Sequence, residues 1–316
     1  MKPMTLIVST LIFVLFACSD SAPAPISNKT TVSEIVASNN SVTTDQTDAI
    51  SPRYKNGTND QNKGDKTGIV RLHGNIAAAS GSMMYLYETE ARNIALLDSA
   101  KVVGGIFNFN NLEIGRGIYE LVLNGKANNK TQIILNPDES DVNIDFKSSR
   151  LNGNKTAPSS RENTAWFKYI TLENRNKNEI KNLRKGMKDS PYRSRIEEQI
   201  KGKELELVQT QHEMMDTYAG TYFAKLISWK NPMYPNSQGK YFEDLDPLDN
   251  SLIHTMAISN RIQGMMVKFS KGEDSRFFAC IDLIKAHFEP NPKTLESALY
   301  AMLDEIGRAS CRERVC

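Results

Sequence analysis

Cysteine is scarce in this chain of 316 residues: Cys18, Cys280, Cys311 and Cys316 are the only four, and no two are spaced as Cys-x-x-Cys. Thiol-disulfide exchange of the thioredoxin type needs such a pair, because one thiolate attacks the substrate disulfide and the second resolves the mixed disulfide. The sequence as it stands therefore predicts no dithiol activity. Histidine is equally sparse, and His73, His212, His254 and His287 form no cluster, so the sequence offers no metal centre. An excess of one charge is also missing: 39 basic and 37 acidic residues leave +2, which is no footprint for a nucleic-acid partner. The chain contains no Gly-x-Ser-x-Gly elbow, phosphate loop or dinucleotide fingerprint, and no cofactor is expected. After Cys18 no stretch approaches the roughly 20 apolar residues of a membrane helix, so this part reads as water-soluble.

What is there begins with Lys2 and an apolar run from Leu6 to Phe16, interrupted only by Ser9 and Thr10. That is the length of a signal-peptide core and too short to span a bilayer. Leu15-Phe16-Ala17-Cys18 resembles the lipobox of bacterial lipoproteins, in which a small residue precedes the cysteine that is acylated; Phe16 is bulkier than the usual residue there. The resemblance implies removal of residues 1–17, lipidation of Cys18 and a cell-envelope location facing the periplasm, with the outer membrane favoured over the inner. Each buried methylene of the acyl chains contributes about 0.8 kcal/mol, so a triacylated Cys18 is a stable membrane anchor.

Residues 18–66 follow as a segment rich in Ser, Thr, Asn, Asp and Ala, which buries too little apolar surface to offset ordering entropy and is expected to be a flexible tether. From residue 67 to 150 the pattern changes to short strands. Candidates are Ile69–Ile76, Met83–Tyr87, Ile94–Leu97, Ala100–Val103, Ile106–Phe109, Ile118–Leu123, Gln132–Leu135 and Val142–Phe146. Turn signals separate them at Ala79-Ser80-Gly81, Gly104-Gly105, Asn110-Asn111, Asn124-Gly125 and Asn136-Pro137-Asp138. The fold class is α+β: an antiparallel β-sandwich followed by an all-helical region. The helical region has two parts, 151–240 and 241–304. The first is a hairpin of helices Asn163–Lys188 and Tyr192–Tyr218, capped at Asp189-Ser190-Pro191. Apolar stripes at Phe167, Ile170, Ile180 and Leu183 and at Ile196, Ile200, Leu205 and Val208 face its core. In the second, helices are expected at Leu252–Phe269, Ser275–Phe288 and Thr294–Asp304.

The strand region resembles a domain of unknown function that precedes a thioredoxin fold in envelope lipoproteins of the TlpA and peroxiredoxin-like group. The likeness is carried by Val70-Arg71-Leu72-His73-Gly74, Met84-Tyr85-Leu86-Tyr87, Asp98 through Phe109 and Gly117-Ile118-Tyr119-Glu120-Leu121, about eighty residues in all. Within it, the strand after Asp98-Ser99, the glycine pair and Phe107-x-Phe109 make a hairpin with both aromatics facing inward. Tyr241 through Thr255 looks like the helical insert leading to the thioredoxin domain of the same group, and no such domain follows. Glu305 to Cys316 looks like the translation of a common sequencing-library adapter, so the natural polypeptide is expected to continue beyond Asp304. The resemblance implies a membrane-anchored accessory part of a thiol-disulfide oxidoreductase, positioning a redox domain or binding protein clients. The alternative is a stand-alone envelope lipoprotein that binds a polymer or a protein.

The remaining candidates read as structure. His212-Glu213-Met214-Met215-Asp216 stops one residue short of a zinc-protease helix, has no third ligand in sight, and reads as a solvated helix face. Glu243, Asp244, Asp246 and Asp249 lack the glycine and terminal glutamate of a calcium loop and read as turn and capping residues. Cys280, within Phe277-Phe278-Ala279-Cys280-Ile281, reads as a buried structural thiol, and Met265-Met266 as core.

Overall fold

The computed structural model describes residues 66–90, 93–187, 190–270 and 273–313. Among the described residues nine strands are followed by six α-helices, and the α+β class expected from the sequence is what the chain adopts. Strands β1 (Gly68–Asn75), β4 (Ile106–Ile114) and β7 (Asp141–Asn143) form one sheet in the order β4-β1-β7. Strands β2 (Met83–Glu90), β3 (Asn93–Lys101), β5 (Gly117–Leu123) and β6 (Lys130–Leu135) form the second, ordered β3-β2-β5-β6. A two-residue pair, β8 (Asp145–Phe146) and β9 (Lys155–Thr156), leads toward the helices. The pairings between these strands are antiparallel except β1 with β7, which run parallel, and Ile76 just past β1 makes an isolated parallel bridge to Phe146.

Alternation builds the core. Val70, Leu72, Phe107 and Phe109 from the first sheet and Met84, Leu86, Tyr119, Leu121 and Ile133 from the second belong to one buried cluster. Phe107 meets Phe109 edge-on and lies at the same 6.2 Å centroid distance from Phe146. Gly104 and Gly105 both have positive φ and make the tight turn, with Val103 and Ile106 exchanging backbone hydrogen bonds at 2.9 and 3.0 Å. The hairpin does not extend further, because β3 pairs with β2 and β4 pairs with β1; the glycine turn is a corner between sheets.

One turn reading needs correction. Asn110-Asn111 ends no strand: it is a bulge within β4, where Val70 and Leu72 oppose Leu112 and Phe109, and Asn111 absorbs the extra residue at φ +55°. Asp98-Ser99 lies inside β3, which runs the strand expected at 94–97 on into the start of the one expected at 100–103. Gly74 has a steric role: a Cβ there would sit 1.8 Å from the Ile144 carbonyl oxygen, so only glycine lets the chain cross β1 so closely.

The long hairpin is α1 (Arg161–Met187) and α2 (Arg193–Thr217). Ser160 begins α1 by accepting from the Asn163 amide at 3.0 Å. Pro191 and Ser190 do not cap α2, whose N-cap is Tyr192 with no side-chain bond; the Ser190 hydroxyl accepts from the Tyr192 amide instead. Ile200 is buried, but Leu205 and Val208 are exposed. The α1-facing line runs Ile200, Lys203, Leu207, Gln211, Met214, as a period near 3.6 requires, and Leu205 and Val208 fall on its flank. Beyond come α3 (Tyr222–Ser228), α4 (Ala257–Met265), α5 (Asp274–Phe288) and α6 (Pro292–Glu313). The single helix expected over 252–269 is divided into a 3-10 turn at Asn250–His254, α4 and a π turn at Met266–Ser270. The backbone of α6 runs on through the first nine residues of the adapter-like tail, to Glu313. No helix among the described residues is long and apolar enough to cross a membrane.

Candidate functional site

Cys18, the expected lipidation site, lies outside the described residues, as does Cys316, and of Cys311 only the helical backbone is described. Cys280 is fully buried on α5, where burial pushes its thiol up against the opposing 3.4 Å bond donated by Gln238. The histidines are dispersed. His73 on β1 faces Asp141 at 3.2 Å, His254 in the 3-10 turn faces Glu88 at 3.3 Å, His212 is half-buried on α2, and His287 on α5 contacts the Leu245 carbonyl at 2.8 Å. Asp216, one turn from His212, is exposed.

Within the acidic run, Asp246 accepts from the Leu248 amide at 3.0 Å and Asp249 caps the 3-10 turn through Ser251, the turn and capping roles expected of them. Asp244 differs. It makes a two-pronged ion pair with Arg261 at 2.6 and 2.9 Å, and Arg261 also donates to the carbonyls of Tyr241 and Trp229. Arg261 is 3% exposed, so this is a charge held inside the helical region by full pairing.

The junction of sandwich and helices is a relay of buried polar groups that the sequence did not single out. Glu139, in the loop after β6, accepts from the Ser160 hydroxyl at 2.6 Å and the Glu162 amide at 3.1 Å, closing the start of α1. Glu162 then turns its carboxylate onto the start of α3, taking the Tyr222 and Phe223 amides at 2.8 and 2.6 Å and the Asn136 side chain at 3.1 Å. Burial raises the Glu162 carboxyl above its ordinary value, and these amides oppose the rise. Asn163 is wholly buried and completes the edge of β6: its Oδ1 accepts from the Ile134 amide at 2.9 Å, and its Nδ2 donates to the Ile134 carbonyl at 2.7 Å.

A second relay links α1, α2 and the segment after α3. Tyr169 donates to Glu173 at 2.9 Å and accepts from Gln211 at 2.9 Å, while Lys230 reaches Glu173 at 2.7 Å and sits 4.6 Å from the Tyr169 ring centre. Burial pushes the Glu173 carboxyl up, but Lys230 and Lys177 outweigh it, and the group ends below the usual carboxylate range. Each of these carboxylates is occupied by donors. They fasten helices to sandwich, and none stands free beside a nucleophile.

The surface is more informative. The second sheet has two edges; on β6, Asn163 of α1 pairs both outward backbone groups of Ile134. Along β3, Ile94 is 58% and Leu96 55% exposed, and β2 is the only strand partner of β3 among the described residues. On the face beside them, half-buried Tyr85 and Tyr87 stand 6.5 Å apart, with Tyr87 opposite Leu96 in the ladder. An open apolar strand edge presents backbone donors and acceptors together with side-chain contacts, which is the chemistry of strand addition by an extended peptide. No family model, curated protein or solved structure matches this chain.

Proposed function

We propose that this chain is the lipid-anchored, non-catalytic accessory part of an envelope thiol-disulfide oxidoreductase of the TlpA and peroxiredoxin-like group, and that it receives extended segments of client proteins along β3. The observation that carries the client-binding role is the contrast between the edges of one sheet. Asn163 pairs the outward backbone groups of Ile134 in β6, whereas β3 exposes Ile94 and Leu96 and has β2 as its one strand partner among the described residues. Natural edge strands of this kind are normally blunted by charge, proline or cover unless they have a partner. The accessory role is supported by the burial of Cys280, the only cysteine whose side chain is described, and by the likeness of residues 70–121 to the sandwich that precedes the redox domain in that group. The lipobox-like Leu15-Phe16-Ala17-Cys18 supports the anchor, facing the periplasm from the outer membrane.

The test uses a reduced, carboxymethylated unfolded polypeptide as client surrogate. Changing Ile94 and Leu96 together to Lys removes two half-exposed apolar contacts and places charge on the edge, and is expected to weaken binding by about tenfold or more. Unchanged binding refutes the edge as client site. Retention of Cys18→Ala in the membrane fraction refutes the anchor, and catalytic disulfide reduction by a Cys311→Ser/Cys316→Ser variant refutes the accessory role.

A further inference from the structure

The tip of the α1–α2 hairpin carries a feature that client binding leaves unused. None of the described residues between Ile180 and Ile200 is buried, so both helices end in solvent. On that part of α1, Lys177, Lys181, Arg184 and Lys185 surround Ile180 and line a shallow, open hollow. Their spacing of three and four residues puts all of them on one helix face. Lys177 is offset by Glu173 at 3.3 Å and Arg184 by Glu204 at 3.1 Å. Lys181 and Lys185 have no carboxylate within 4.0 Å among the described residues. At the start of α2, Tyr192 is 69% exposed next to Arg193.

We infer that this basic face docks on an anionic phospholipid surface, with Lys181 and Lys185 meeting headgroup phosphates and Tyr192 resting at headgroup depth. Charge complementarity selects the partner's sign, since among the described residues Glu173, Glu179, Glu204 and Glu206 are engaged with Lys177, Lys203 and Arg184, Glu197 is engaged with Arg193, and Glu198 alone does not offset the exposed Lys181, Lys185 and Arg195. The exposed tyrosine selects a membrane over a soluble polyanion, because an amphipathic ring at the end of a basic hairpin matches the polar-to-apolar gradient of an interface. The inference rests on the reading that Cys18 anchors the chain at a membrane. Hairpin contact then gives the body a second hold on the same surface and a fixed orientation.

The experiment reports on the tip alone. Trp166 and Trp229 are each only 4% exposed, so a Tyr192→Trp substitution in the full chain adds one solvent-facing fluorophore to a constant background. Vesicles of phosphatidylglycerol are expected to shift its emission to the blue, vesicles of phosphatidylcholine to leave it unchanged, and added salt to reverse the shift. Lys181→Gln/Lys185→Gln in the same background is expected to weaken the response to phosphatidylglycerol by roughly thirtyfold. Equal spectra with the two lipids, or an unaltered response in the double variant, overturn the inference. So does a response to soluble polyphosphate without one to vesicles, which reassigns the face to a soluble polyanion. Membrane release of Cys18→Ala tests the anchor separately, so failure of the hairpin contact and failure of the anchored reading are distinguishable.

Discussion

Asn163→Ala tests the claim that α1 completes the sandwich. The Asn163 side chain is the partner of both backbone groups of Ile134 on the outer edge of β6, at 2.9 and 2.7 Å, and Asn163 and Ile134 are both fully buried. Alanine strips both bonds and leaves a buried N–H and a buried C=O unpaired. Each such group costs about 1–3 kcal/mol, so the variant is expected to lose roughly 2–6 kcal/mol of unfolding free energy. For a folded body of this size that is a fall in melting temperature on the order of 4–24 °C. Urea unfolding with an unchanged slope is the assay, since the midpoint should move while the surface exposed on unfolding does not. Asn163→Asp sharpens the test. At neutral pH it keeps the acceptor for the Ile134 amide but turns a second carboxylate oxygen toward the Ile134 carbonyl, so it should be at least as unstable as the alanine variant. Acidification converts that oxygen to a hydroxyl donor and should narrow the deficit relative to alanine. Asn163→Ala within about 0.5 kcal/mol of the parent would refute the reasoning.

Asp244→Asn leaves the buried Arg261 guanidinium without its carboxylate and is expected to cost about 3–5 kcal/mol, with much of the loss recovered when Arg261→Met is added; a thermal melt of Asp244→Asn within about 1 kcal/mol of the parent contradicts this. His287 is held below its ordinary value of 6.5, first by burial, and the unfolded chain takes up the proton more readily. Its contribution to stability is therefore complete above pH 6.5 and is lost as pH falls from there toward the lowered folded value. Urea midpoints measured down this range should drop more steeply for the parent than for His287→Gln, and parallel curves would show that the ring does not carry the effect.

Much of the local structure was legible because its causes are local. Alternation of apolar residues marked the strands, the glycine pair marked the turn at Gly104-Gly105 though not that it is a corner between sheets, and the Phe107-x-Phe109 spacing put both rings inside. Asn110-Asn111 misled for a physical reason: a residue that tolerates the left-handed region serves a turn and a bulge alike, and only the partner strand β1 decides between them. The buried relay was not legible: nothing local says that the Asn163 amide turns away to a strand about thirty residues earlier. Glu162 looks like an ordinary acidic residue in a first turn until the start of α3 arrives against it from sixty residues away.

The sequence by itself determined the fold class and the absence of a Cys-x-x-Cys pair, because periodicity and residue identity are properties of the chain. Tertiary structure alone decided that Asn163 pairs the outer backbone of Ile134 while β3 has only β2 as strand partner among the described residues, that Asp244 is an ion-pair partner and not a turn residue, and that Lys181 and Lys185 have no carboxylate partner among the described residues. Each of these depends on which distant group is brought within hydrogen-bond or Coulomb range, and that is fixed only when the sheets and helices pack.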